Sequence, residues 1–560
     1  MSSIVGKRRG NQTYYYLVES ARVDGKPRIV EQQYLGTAAE VMGRLQGGGD
    51  GAPERTQHRA FGDVAAVWGV LERLGVAQVI DDVVGSRRAD AAGSVGTYLA
   101  LATLNRVVAP RSKLGFADWW ATTAGPRWVK LSAAALDHRR FWEAMDALGE
   151  KRLRAAERAI GARMVSEFGL DLSGLALDMT NFATFIDSTN DRASIAQRGH
   201  AKQKRMDLRL VGLGLVVTRD GAIPVASHAY AGNRPDVTQF GTLVNELVAR
   251  YQAVSGAAPT VVFDAGQNSA ANFAYLTEAG LHFIGSLPPS QHPDLLALPA
   301  RRRVAVDGDR FAGVTAHDTR AVVFDLERRV VLTHSPTLHA AQARGFDQTL
   351  AKANRALSEL ADALARGHTR RSRDTVQAEI DRITRPRWVS RVLRTELTGD
   401  TPETLRLTAT VAAAARRDLE QEIFGKRILV TDHDDWTVAD VIAGYRSQSE
   451  VEAGFRQLKD PHVVGFSPMF HWTDSKIRVH VFYCVLALAV AHLMRRQADA
   501  AGLDMSVREM LAALAGIQET VLIYPSEKGR PRAKRLLTDQ DPTQRRLHTL
   551  FDLERYAPRR

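Results

Sequence analysis

Two spacings of apolar residues alternate along this chain, one that suits strands and one that suits helices. Near the start, residues 13–20 and 27–34 read as strands, and the Asp24-Gly25 pair between them signals a hairpin turn. A glycine-rich break at residues 47–51 marks a linker. From about 58 to 165 the spacing turns helical, as in Val64, Val67, Trp68 and Leu71, then Leu99, Leu101, Ala102 and Leu104. From 166 to 285 it reads strand, strand, strand, helix, strand: the run ending at Asp178, residues 208–217, 222–230, a helical stretch over 237–251, and a β-branched run ending at Asp264. Asp220-Gly221 is a second hairpin signal. The apolar run over 479–493 is interrupted by His480 and His492 and falls short of the ~20 residues a membrane span needs. It is expected to be a buried core helix with Cys484 as a packing residue. These shifts divide the chain into blocks at 1–57, 58–165, 166–285, 286–430, 431–524 and 525–560.

Three acids stand out against this pattern. Asp178 and Asp264 each end an apolar run, as strand-end residues do, and Glu452 falls in a helical stretch over 445–459. Tyr445, Glu452 and Lys459 are each seven apart, so one continuous helix would align them on one face, with Gln448 and Arg456 four residues either side of Glu452. Two carboxylates about 4 Å apart repel by about 4 kcal/mol at an effective dielectric of about 20, so three would need a cation to stay ionised together. A hard oxygen-seeking ion such as Mg2+ suits that donor set, and a pair of such ions suits displacement at a phosphodiester. His200 and Lys202 sit in a predicted loop, where phosphate contact and plain solvent exposure both fit. Asp187, Asn190 and Asp191 read as turn chemistry, and the run from Asp434 to Thr437 reads as a helix N-cap.

Charge points the same way. Lys and Arg number 75 against 63 Asp and Glu, a formal charge of +12 that favours polyanionic partners. A single cysteine excludes an internal disulfide and the cysteine-rich zinc motifs. The first residues show no signal-peptide pattern, so a cytoplasmic location is expected, with no membrane association. In the helical block, Arg106, Arg111, Lys113, Arg139 and Arg140 lie among Trp119, Trp120 and Trp142. Such a mixture fits DNA-end recognition, and it also fits a helical bundle with tryptophan inside and arginine in water. Residues 528–535 and the final arginines read as a basic tail suited to non-specific DNA or partner contact.

The stretches 199–207, 232–236, 263–266 and 470–480, with the Tyr-Leu-Gly that closes the N-terminal hairpin, resemble the DDE transposases of bacterial insertion sequences. In that group a ribonuclease H-like core is interrupted by a β-rich insertion before the catalytic Glu. Its signature is Tyr, two residues, Arg, three residues, Glu, six residues, Lys. Tyr445, Glu452 and Lys459 match it, but position 448 is Gln, which lacks the charged fork of an arginine. Arg446 or Arg456 is available for that role. The spacing also fits an interrupted core, because 86 positions separate Asp178 from Asp264 and 188 separate Asp264 from Glu452.

The resemblance implies a multidomain α/β protein with a ribonuclease H-like core, an N-terminal β-hairpin, a helical DNA-binding region and an insertion at 286–430. It implies catalysis by Asp178, Asp264 and Glu452 with two Mg2+ ions, for which Mn2+ substitutes. Tyr445 and Lys459 would position phosphates, and Trp388 is a candidate to hold a flipped base. The expected partners are terminal inverted repeats and target DNA, in a homodimeric synaptic complex in the bacterial nucleoid. A nuclease of the same fold that cuts without joining, or an inactive DNA-binding repressor, would share most of these features.

Overall fold

The computed structural model describes residues 2–559 apart from 11, 24–25, 46–52, 86–91, 188, 200–206, 252–257, 368–370, 461 and 526–530. Asp24-Gly25, the break at 47–51, His200 and Lys202 therefore lie outside the described residues. The chain forms two compact units, one of residues 1–69, 117–130 and 509–560, the other of 70–116 and 131–508.

The first unit contains two antiparallel three-stranded sheets. One is built in sequence order from Ser2–Arg9, Gln12–Val23 and Lys26–Thr37, with Tyr14 and Tyr16 packed on Tyr34. The other sets Gln518–Tyr524 between Arg532–Leu537 and Arg55–Ala60, joining segments from opposite ends of the sequence. The helix Pro542–Leu550 starts at a reciprocal capping box between Asp541 and Gln544. The stretch that reads as a tail thus contributes a strand and a helix to this unit. Trp119 and Trp120 are buried here, which is the packing role their helical spacing allowed.

The second unit is mixed α/β around a nine-stranded sheet. Its strands are β1 (Gly174–Thr184), β2 (Arg209–Thr218), β3 (Pro224–Ala231), β4 (Thr260–Val262), β5 (His282–Leu287), β6 (Val304–Ala305), β7 (Thr315–Val323), β8 (Leu326–His334) and β9 (Lys426–Thr431). They lie in the order β6-β7-β8-β9-β5-β4-β1-β2-β3. β4 runs parallel to both β1 and β5, and every other pair is antiparallel. From Leu210 to Val217 β2 is buried at every position, which is why it reads as an unbroken apolar run and not as an alternation. The turn from β2 to β3 passes through Gly221 at φ 83°, a conformation that favours glycine. Strands β6 to β9 extend the same sheet beyond β5. Between β8 and β9 the chain forms the helices Pro336–Ala365 and Arg373–Thr384 and the hairpin Leu393–Thr398 with Arg406–Val411.

After β9 come three helices, α1 (Val438–Arg446), α2 (Gln448–Lys459) and α3 (Asp474–Ala500). Thr437 caps α1 by accepting from the Asp440 N–H at 3.1 Å. Among the described residues α3 alone is long and apolar enough to cross a membrane, yet 94% of its most apolar window is buried inside the protein. Each fully buried Leu, Val or Phe on it contributes about 1.5–3 kcal/mol. Two basic residues of the helical block turn inward to meet this core. Arg106 donates to the Gly465 carbonyl at 2.5 Å, and Lys113 donates to the Tyr483 hydroxyl. Burial, followed by the Arg106 charge, pushes the Lys113 ammonium down to about 7.

Candidate active site

Asp178 lies on β1, and Asp264 follows the end of the neighbouring parallel strand β4. The register sets Gly174 against Thr260 and Ala176 against Val262, so Asp178 and Asp264 each lie two residues beyond the same pair. Residues two apart share a face, and adjacent strands are about 4.8 Å apart. Asp178 does not end its strand, as its sequence suggested. β1 pairs with β2 all the way from Leu175 to Thr184, whereas its pairing with β4 stops at Ala176. One strand therefore leaves the acid at mid-length and the other ends just before it.

Hydroxyl groups hold Asp264. Ser286 on β5 donates to its Oδ1 at 2.8 Å, and the Tyr445 hydroxyl donates to the same oxygen at 3.1 Å. Burial pushes the Tyr445 phenol up to about 12, so it remains a donor throughout the physiological range. The Arg427 guanidinium lies 4.9 Å from the centre of its ring. Asp178 accepts from the Met179 N–H at 2.7 Å through Oδ1.

The helix expected over 445–459 is two helices. Ser447 makes the break: its N–H and its hydroxyl both bond the Gly444 carbonyl, at 3.1 and 2.7 Å, and α2 begins at the next residue. Tyr445 therefore reaches Asp264 from α1, while α2 carries Glu452 and Lys459. The alignment by sevens holds only for the last two. Two side chains fasten α2 to β1, with Gln448 Nε2 donating to the Leu177 carbonyl at 3.1 Å and Lys459 Nζ to Thr180 Oγ1 at 2.9 Å. Thr180 shares the face of Asp178, and Glu452 lies one turn beyond Gln448 with an exposed side chain.

Position 448 now has a physical account. Gln448 is buried against the backbone of the strand that carries Asp178, a place for a neutral amide donor rather than a charged fork. Arg446 donates to the Arg310 carbonyl at 2.9 Å and lies over the Phe311 ring, and Arg456 is exposed on α2. Trp388 is partly buried, with Phe424 at 5.6 Å and the Arg387 guanidinium at 4.2 Å from its ring. Ser286 and Thr180 are the members of the site that sequence reasoning missed. A lone hydroxyl inside an apolar strand carries no motif.

Among the described residues, one group of three potential metal ligands has all its ligating atoms within 4.8 Å: His282, Asp432 and His433. It occupies the other end of the strands, where β5 begins and β9 ends, and each of its three residues already makes a hydrogen bond. His282 Nδ1 meets Asp432 Oδ2 at 3.0 Å, the Phe283 N–H meets Asp432 Oδ1 at 2.9 Å, and His433 Nε2 meets Thr260 Oγ1 at 2.8 Å. Asp178, Asp264 and Glu452 are spread more widely than this group. Two ions about 3.5–4 Å apart can reach carboxylates that do not touch one another.

A family model described as the transposase DDE domain matches residues 181–488, more than half of the chain. The chain belongs to this family of transposases. The match opens three residues after Asp178 and takes in Asp264, Tyr445, Glu452 and Lys459. No curated protein sequence matches. Among solved structures, a piggyBac transposase synaptic complex with hairpin DNA aligns over 83% of this chain and 82% of its own, at 9% identity and a TM-score of 0.36. A likeness that remote carries no argument about this chain.

Proposed function

We propose that this protein is the transposase of an insertion sequence: it binds the terminal inverted repeats, cleaves the DNA ends and joins the freed 3′-hydroxyl to target DNA. The observation that carries this reading is the register of β1 and β4, which pairs Ala176 with Val262 two residues before Asp178 and Asp264, with α2, the helix that bears Glu452, fastened to β1 through Gln448 and Lys459. The order β3-β2-β1-β4-β5, three antiparallel strands followed by two parallel ones, supports a ribonuclease H-like core. On this reading the stretch 286–430 is the insertion before the catalytic Glu.

The donor set fits a hard divalent cation. All three groups are carboxylates, Asp264 is held by hydroxyls that leave its charge outstanding, and Asp264 and Glu452 are exposed. Asp178, Asp264 and Glu452 would hold two Mg2+ ions, which when bound supply Lewis-acid stabilisation of charge on the phosphoryl oxygens. Ser286 and Tyr445 fix the Asp264 carboxylate before substrate arrives. Lys459 brings a positive charge to the Asp178 side for a DNA phosphate. In the first reaction water displaces the DNA 3′-oxygen from phosphorus, and that oxygen leaves as a hydroxyl. In the second the hydroxyl attacks a target phosphodiester, and one P–O bond forms as another breaks.

The test uses purified protein with labelled DNA carrying the element's ends, in Mg2+ or Mn2+. Wild type should give 3′-hydroxyl ends and strand-transfer products. Asp178→Asn, Asp264→Asn and Glu452→Gln should each lose at least about a thousandfold in rate while still binding DNA. Cut ends without joined products would leave a nuclease. Intact DNA under conditions where the protein clearly binds would sink the enzymatic reading altogether.

A further inference from the structure

The strand Arg532–Leu537, the helix Pro542–Leu550 and the last residues of the chain wall a groove of about 1330 Å³ in the first unit. Six cationic side chains line it, Arg127, Arg532, Lys534, Arg535, Arg545 and Arg559, against two carboxylates, Asp539 and Glu554. A third carboxylate, Glu519, is fully buried beneath, 2.7 Å from Arg127 and 3.5 Å from Arg535. Six cations against these three anions still leave the groove strongly positive.

Protection of an edge strand against mispairing explains charges on Arg532–Leu537 alone. It does not explain Arg127, Arg545 and Arg559, which arrive from three other segments. Like charges gathered from separate parts of a chain repel, and a concave surface of one sign focuses the field on an incoming polyanion. The lining also says which polyanion. Surfaces for single strands offer aromatic rings on which bases stack, whereas this lining holds no Phe or Trp, its Tyr524 is buried, and its half-buried His548 lies 3.9 Å from the Glu554 carboxylate.

We infer that this groove binds the phosphate backbone of duplex DNA without reading its sequence, as a holding surface distinct from the three acids. The inference rests on the reading of the chain as a transposase that acts on DNA. Arg127 and Arg535 also neutralise Glu519, so the test spares them and alters Arg532 and Lys534.

The experiment follows binding of the full-length protein by fluorescence anisotropy between about 50 and 200 mM salt, where phosphate contacts are read from the slope. Three probes are compared: a duplex of arbitrary sequence, a duplex carrying the element's end, and a single strand. The double variant Arg532→Ala with Lys534→Ala should lower the salt slope by about 1.8 on both duplexes alike, two contacts at about 0.9 each, and weaken binding at least tenfold. Lys534→Glu should weaken it further, with an unchanged melting curve for each variant. An unchanged slope in both well-folded variants, or preference of the wild type for the single strand, overturns the inference. Asp264→Asn should keep the wild-type slope. A wild type that binds duplex through this groove yet never cuts would overturn the reading of the acids alone, and a chain that cuts with an unaltered slope in the variants would overturn the groove alone.

Discussion

Asp264 and Glu519 are both carboxylates inside folded parts of the protein, and the chain treats them in opposite ways. Asp264 is exposed and bonded by two neutral hydroxyls, from Ser286 and Tyr445. Glu519 is fully buried between the guanidiniums of Arg127 and Arg535. A hydroxyl orients a carboxylate without cancelling its charge, whereas a guanidinium cancels it. The first arrangement keeps a negative charge available to a cation from solution. The second uses the charge up, and a carboxylate held that way is part of the architecture. Asp63 is a third case: buried in the first unit, it accepts from the Val64 N–H at 2.8 Å, and burial pushes its carboxyl up to about 6.

Glu519 depends most on its partners. Arg127→Met should cost about 3 kcal/mol, because it leaves a buried carboxylate with only the longer contact to Arg535, and adding Glu519→Leu should recover most of the loss. Urea denaturation of the single and double variants measures this, and a single variant as stable as wild type would mean that Glu519 does not depend on its arginine.

Asp63 gives the next largest effect, and its sign follows from the raised value. Between about pH 4 and 6 the folded chain keeps a proton that the unfolded chain has released, so stability from this group is full at acid pH and is lost as pH rises through that window. Asp63→Asn should therefore be more stable than wild type by about 2–3 kcal/mol at pH 7 and level with it near pH 4. A difference independent of pH would rule this account out.

The hydroxyls give the smallest effect. Tyr445→Phe and Ser286→Ala should each slow DNA cleavage roughly fivefold to tenfold, the cost of one hydrogen bond worth about 1 kcal/mol, with stability nearly unchanged. A loss as large as that of Asp264→Asn would move Tyr445 from orienting a carboxylate to contacting the reacting groups.

Local chemistry made much of this legible in advance. Asp220-Gly221 does turn β2 into β3, Thr437 does cap a helix, and the apolar run around Cys484 is a buried core helix. The break at Ser447 was hidden because Arg446-Ser447-Gln448 contains neither glycine nor proline and the spacing of sevens continues through it. Asp178 looked like a strand end because polar Thr180 and Asn181 interrupt its apolar run, and only the length of β2 shows that β1 continues. Arg106 and Lys113 read as surface cations because sequence does not reveal a carbonyl or a phenol waiting in the core. Ser286 was invisible for the same reason, since its meaning lies in an acid on the next strand.

The order of synthesis gives β9 and the two helices after it a further significance. A ribosome completes both aspartate-bearing strands well before it reaches residue 452, with the whole stretch 286–430 between. A product released after residue 264 and before α2 holds two of the three carboxylates and lacks the third. On the proposed chemistry the donor set is complete only once α2 has been made, so a chain that ends within the long excursion lacks a ligand that cleavage needs.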